Sequence, residues 1–224
     1  MSKSAFESEL LMLCIPDNIK LCYFNDDAVI LNVIQDEFFV VENGACLMKT
    51  ECRDAQILEL LGNNFCITEV PSLRAEKDDG YFEVRWMKPL FTRQKVSPVT
   101  WIRFFFKMKG LVRLVDKGGV AAVKNAISAL RENMSVISDK PGQQMMDEFN
   151  SLISSLMRFY RFENSCLIYS FIMTHMLLEH GYNARIAIGV RTEPFFSHAW
   201  VEINGEVYGD DRALRKKLSV IMEI

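Results

Sequence analysis

The chain has 224 residues, half of them hydrophobic, and a formal net charge of −3, which suits one large domain or two small ones with their own cores and argues against bulk nucleic-acid binding. No apolar run reaches the ~18 residues of a spanning helix, so a soluble protein without a membrane partner is expected. The charge is uneven: residues 1–95 hold 10 Lys+Arg against 16 Asp+Glu, and residues 96–224 hold 16 against 13, as two modules with different partners would.

Five of the six cysteines, Cys14, Cys22, Cys46, Cys52 and Cys66, lie near the front, and Cys166 stands alone. No Cys-x-x-Cys pair is present, which argues against a zinc knuckle or a redox dithiol. The opening Met1 to Glu7 lacks signal-peptide shape. A reducing cytoplasm is therefore expected, with the early cysteines as free core or surface thiols.

In chain order, Asn18 to Phe24, Ala28 to Val33 and Glu37 to Val41 read as short strands parted by polar turns. Helical pieces follow over Gly44 to Thr50 and Asp54 to Leu61, with Asp54 as N-cap and Gly62 as the stop. Together they make a small winged-helix-like module whose third strand, at the sheet edge, has free backbone groups for an extended peptide. Residues 65–80 are irregular, and Tyr81 to Trp86 reads as one more strand. The module does not read as DNA-binding, because the helix from Asp54 carries acids where phosphate would need bases.

The prolines Pro89 and Pro98 frame a polar stretch and suggest a boundary: residues 1–90 as the first domain, 91–98 as linker, 99–224 as the second. Helical periodicity then runs over Trp101 to Asp116, Val120 to Leu130 and Met145 to Phe162, with Asp139 to Gly142 as an interruption. The first of these reads as a core helix with a basic outer edge rather than a membrane-surface helix. Cys166 to His180 is an apolar helix ended by Gly181. Ala184 to Val190 and Ser197 to Ile203 are strands, and Asn204-Gly205 is a hairpin turn leading into Glu206 to Tyr208. The second domain is thus a helix on an antiparallel sheet, and the whole chain is α+β.

This last stretch carries the chemistry. Cys166 opens its helix, where unsatisfied N–H groups and the dipole favour a thiolate. His198 lies on a strand and offers a base. The other histidines, His175 and His180, share the Cys166 helix and read as structural. The orienting acid is Asp210 or Asp211. A strict two-residue turn pairs His198 with Asp211, whereas a bulge at Gly209 would bring in Asp210. No cysteine, histidine or acid cluster has metal-ligand spacing.

The run from Ile186 to Gly205, with Phe196-Ser197-His198-Ala199-Trp200 at its centre and Gly209-Asp210 after it, resembles the B proteins of lasso-peptide biosynthesis, those of microcin type most closely. So does the closing Lys217 to Ile224. The resemblance is strong over residues 163–224, weaker over 96–162 and a matter of pattern over 1–90. It implies a transglutaminase-like, papain-like cysteine peptidase domain with Cys166, His198 and Asp210 as its triad. It also implies that the front module is a precursor-recognition element taking the leader peptide as an added strand. The activity implied is leader removal from a ribosomally made precursor, with an asparagine-synthetase-like cyclase as partner. Acyl transfer and a non-catalytic leader-binding scaffold are the alternatives. No cofactor is expected on this chain: it has no Gly-x-x-x-x-Gly-Lys-Ser/Thr loop, and the ATP implied for maturation is assigned to the cyclase.

Overall fold

A computed structural model of the chain describes residues 17–44, 72–73, 95–132, 135, 140–159 and 165–224. Two four-stranded sheets and a set of helices make up the described fold, which is α+β. The helices expected over 45–61 and the strand over 81–86 lie outside the described residues, so the winged-helix detail rests on sequence pattern.

In the front sheet, β1 (Ile19–Phe24), β2 (Asp27–Asn32) and β3 (Glu37–Val41) form an antiparallel meander. The two-residue β4 (Ser72–Leu73) pairs parallel with β1, giving the order β3-β2-β1-β4. The second strand stops at Asn32, one residue earlier than the apolar pattern suggests. The Asn32 side chain accepts the N–H groups of Ile34 and Gln35 and so closes the turn itself. The third strand, β3, is an edge of this sheet.

Helix α1 (Pro98–Glu132) starts at a Ser97 cap, whose Oγ accepts the Thr100 N–H at 3.1 Å. Where the sequence suggests two separate helices, α1 runs 35 residues with one break, at Gly119 (φ 49°, ψ −142°). Phe104, Met108, Val112 and Val115 face inward before the break, and Val120, Val123 and Ile127 after it. Arg103, Lys107, Arg113 and Lys117 lie on the exposed side. No helix among the described residues is long and apolar enough to cross a membrane. Helix α2 (Gln143–Phe159) and helix α3 (Ser165–Glu179) pack against each other, and α3 also packs on α1 and on the second sheet.

The second sheet contains β5 (Ala184–Arg191), β6 (Phe196–Ile203), β7 (Glu206–Tyr208) and β8 (Ser219–Glu223) in the order β7-β6-β5-β8, all antiparallel. Asn204 and Gly205 both have positive φ, 51° and 82°, as a two-residue hairpin turn of this kind demands. A four-residue helix, α4 (Leu214–Lys217), leads into β8. Neither α4 nor β8 was expected from the sequence.

The front sheet does not stand apart from the rest. Cys22, Val29, Leu31 and Val33 belong to the same buried cluster as α1, α3, β5 and β6, and β1 packs against β8. Cys22 is a free, fully buried thiol that burial pushes up to about 12, so it stays protonated and inert.

A second tie joins the halves. Asp36, in the β2–β3 turn, accepts the Val120 N–H with its carboxylate, where the second half of α1 restarts after Gly119. A residue 84 positions away thus does the work of an N-cap. A Cβ at Gly119 would collide with that carboxylate. Burial pushes the Asp36 carboxyl up, and the Val120 amide partly offsets this. Asp36→Ala should therefore lower unfolding free energy by about 1 kcal/mol in urea titration. Asp36→Asn keeps the acceptor, tolerates the positive φ of 58° and buries no charge, so it should match or exceed wild type. Equal losses in both variants would refute the capping role.

Candidate active site

Helix α3 is apolar around its whole circumference, with 11 of its 15 residues buried, from Leu167 to Leu178. Its first turn reaches solvent, as does Glu179 at its far end, and Cys166 sits in that first turn, partly buried. Strand β6 carries His198, which is buried. The Ser170 hydroxyl donates to the Ala199 carbonyl at 3.0 Å and stitches α3 to β6 beside the site.

The structure brings Cys166, His198 and Asp210 together. His198 Nε2 lies 2.7 Å from Asp210 Oδ2, with the two side chains 5% and 13% exposed. The Cys166 thiol hydrogen-bonds the same imidazole, and since Asp210 occupies Nε2, Nδ1 is the nitrogen left for the sulfur. The Leu167 and Ala199 amides also donate to the sulfur. Burial alone would raise the thiol pKa, but His198 and the two amides together bring it below the ordinary value. Burial would likewise lower the imidazole, yet its bonds to Asp210 and Cys166 push it up to about 9. Both directions favour a thiolate beside an imidazolium.

Backbone geometry puts Asp210, and not Asp211, beside His198. Pairing between β6 and β7 ends at Val201↔Tyr208. Gly209 then takes φ 69°, breaking the register that would have set Asp211 opposite His198. Asp210 turns in, and its other oxygen accepts the Asp211 N–H at 2.8 Å. Asp211 turns out to accept the Ala213 N–H and pair with Lys217, which together hold its carboxyl below the usual range. The two helix-borne histidines take no part. His180 Nδ1 bonds the Met176 carbonyl at 2.7 Å, and His175 lies 3.5 Å from Glu179, its pKa lowered by burial.

Several neighbours were not singled out from sequence. Trp200 stacks beside His198, with ring centroids 6.2 Å apart and planes at 24°. The fully buried Glu202 accepts the Trp200 indole N–H at 2.9 Å, and Arg215 clamps it through Nε and a terminal nitrogen at 2.7 and 2.8 Å. Gly189 is the cross-strand partner of His198. A Cβ there would stand 2.7 Å from two atoms of the Trp200 ring. Alternation on β6 does place His198, Trp200 and Glu202 on one face, but nothing local marks Gly189 or Arg215 as their supports. On the other flank Tyr169 donates to Asn150, which donates to Tyr208 at 3.4 Å. A cavity of ≈ 20 Å³ adjoins the three site residues, walled by Tyr169, Trp200, Tyr208 and Gly209, with room for about one water. Among the described residues no group of three His, Cys, Asp or Glu could hold a metal.

The thiol should report this environment. Alkylation of Cys166 by iodoacetamide, followed on its own tryptic peptide, should have a pH midpoint below the ordinary ~8.5 of a thiol. A depressed value means that reactivity persists at neutral pH and fades as pH falls through the midpoint. His198→Ala should move the midpoint above that of a free thiol, because burial then acts with less opposition. A wild-type midpoint in the free-thiol range would rule out the ion pair. Gly189→Ala should cost about 1–3 kcal/mol of stability by overpacking. It should also slow Cys166 alkylation at pH 7 by displacing Trp200 from His198, while leaving far-ultraviolet circular dichroism unchanged.

Comparison with known proteins agrees with this geometry. Residues 112–223 match the family model described as the transglutaminase-like superfamily. Over 209 residues the chain is 30% identical to the microcin J25-processing protein McjB of Escherichia coli, covering 91% of this chain and 98% of that protein. No solved structure matches the chain. A relative aligned over almost its whole length, together with a domain match spanning the site, assigns the chain to the transglutaminase-like superfamily and, within it, to the lasso-peptide B proteins.

Proposed function

We propose that the chain is a cysteine peptidase that removes the leader from a lasso-peptide precursor. The freed core amine then passes to a partner cyclase of the asparagine-synthetase type. The observation that carries this is the His198 ring, bonded to Asp210 on one side and to a thiol of lowered pKa on the other. The relative's name, a microcin J25-processing protein, supports the substrate class.

In this reading Cys166 Sγ attacks the carbonyl at the leader–core junction, forming an S–C bond. The backbone N–H at Cys166, one of the free amides of the first turn of α3, steadies the oxyanion. His198 gives its proton to the leaving amine as the C–N bond breaks, and the leader remains as a thioester. Water then attacks, His198 takes its proton, and the thiolate departs. Asp210 fixes the tautomer and orientation of the imidazole throughout. Residues 1–90 serve as the leader-recognition domain, with β3 as the edge to which the leader adds. Any ATP used in maturation is assigned to the cyclase and not to this chain.

Mass spectrometry of the precursor incubated with the protein tests the assignment. Wild type should release the leader with one water added to the cut pair, and Cys166→Ala should release none. An isopeptide adduct instead would assign acyl transfer, and equal release by both proteins would remove Cys166 from the chemistry. The kcat/KM profile should be bell-shaped. Its acid limb should lie below the ordinary thiol range, where Cys166 loses its proton. Its alkaline limb should fall near pH 9, where His198 loses the proton that the leaving amine needs.

A further inference from the structure

The two halves of the chain also meet at the rim of the front sheet. Phe38 of β3 and Phe195 of the β5–β6 turn lie with ring centroids 5.6 Å apart, at 52°. Phe195 is still 44% exposed and Val40, two residues along β3, is 40% exposed. The register pairs Leu31 with Phe38 and Val29 with Val40, so Phe38 and Val40 share the sheet face whose Leu31 and Val29 are buried in the common core.

A strand added along β3 would continue that face. Its side chains opposite Phe38 and Val40 would point the same way, toward Phe195, while its neighbours would point away. Charge gives the strand its character. Residues 17–44 contain six acids, Asp17, Asp26, Asp27, Asp36, Glu37 and Glu42, and a single base, Lys20. Glu37 and Glu42 flank the apolar part of β3 and are exposed, as is Glu193 on the β5–β6 turn. An apolar slot with an acidic rim complements an extended peptide with Lys or Arg around an apolar anchor. Phe195 also lies three residues ahead of His198, about 10 Å along an extended strand.

We propose that Phe195, with Phe38 and Val40, forms a slot for an apolar side chain of a basic, extended leader segment lying along β3, so that the catalytic half of the chain takes part in selecting the leader. This rests on the reading that β3 takes up the leader. It adds a residue of the β5–β6 turn to recognition and assigns the strand face and charge that the leader must present.

The test uses the fluorescein-labelled leader of the precursor, with affinity read by anisotropy and β3 amides by hydrogen–deuterium exchange. Phe195→Ser should weaken binding roughly tenfold, as loss of a packed aromatic anchor does. Phe195→Leu should restore most of the affinity, and binding should weaken as salt rises. Slowed exchange at residues 37–41 with unchanged affinity in Phe195→Ser would overturn the slot while leaving β3 as the docking edge. Unslowed exchange at those residues in the wild-type complex would overturn the β3 reading and the slot with it. Circular dichroism and the urea midpoint of each variant establish that affinities are compared between folded proteins.

Discussion

The site depends on the burial of α3. A helix that is apolar all round cannot lie on a surface. It must be enclosed, and here α1 and α2 cover one side while β5 and β6 cover the other. Phe171, Ile172, Met173 and Leu177 are completely inaccessible, and each such side chain contributes about 1.5–3 kcal/mol by leaving water. That packing fixes the axis of the helix and therefore the place where its first turn emerges. Cys166 stands at that turn, where amides without intrahelical partners are available. The position of the thiol is thus a consequence of the core, with the Ser170–Ala199 bond holding the local alignment to β6.

The imidazole is held from the opposite side of β6 by a different kind of force. Ala199 and Val201 point into the main core, whereas Trp200 joins Ala187, Leu214 and Leu218 in a second, smaller cluster. There the fully buried carboxylate of Glu202 is paired with Arg215. Arg215 also reaches Glu223 on β8, and Arg185 on β5 completes the set. Burying a carboxylate is costly, and such pairs add little net stability compared with apolar packing. Their use is geometric: two acids and two arginines tie α4, β5, β6 and β8 together around the indole that lies against His198. The absent side chain at Gly189 is what allows that indole to lie flat there.

What could be read from the sequence follows from how local each cause is. The strands β1 to β3 and the Asn204-Gly205 hairpin are encoded by alternation and by residues that accept positive φ, so they were legible within a residue or so. The same holds for the helix that Cys166 opens. The break in α1 was legible between Asp116 and Val120, but the abutment of its two halves depends on Asp36, in a turn of the other sheet. Strand β8 is five residues long and pairs with β5, about thirty residues upstream, so nothing nearby announces it. The ladder rule places Asp211 opposite His198, whereas the positive φ of Gly209 brings Asp210 there instead. The resemblance had selected Asp210 where the residues alone left two choices. Trp200 fell on the correct face by period, but its contact with His198 needs a glycine on a neighbouring strand, which no one-dimensional pattern expresses.

The shared core has a further consequence for how the two halves can act. Cys22, Val29, Leu31 and Val33 reach the cluster that also holds α3 and β6, and Asp36 pins the β2–β3 turn to the break in α1. The edge strand β3 and the thiol of Cys166 therefore belong to one packed body rather than to two modules on a tether. For a tethered pair, the concentration of a captured peptide at the second site is set by the linker and falls as the linker lengthens. In a packed body it would be set by the peptide itself: under the proposed reading, by the number of residues between a segment on β3 and the bond presented to Cys166. If, as proposed, β3 holds the leader and Cys166 cuts it, lengthening or shortening the peptide between those points should change which bond is presented, whereas changing residues 91–98 of the protein should not. If the proposed peptidase reading holds, the spacing rule resides in the substrate, and the packed core supplies the fixed distance.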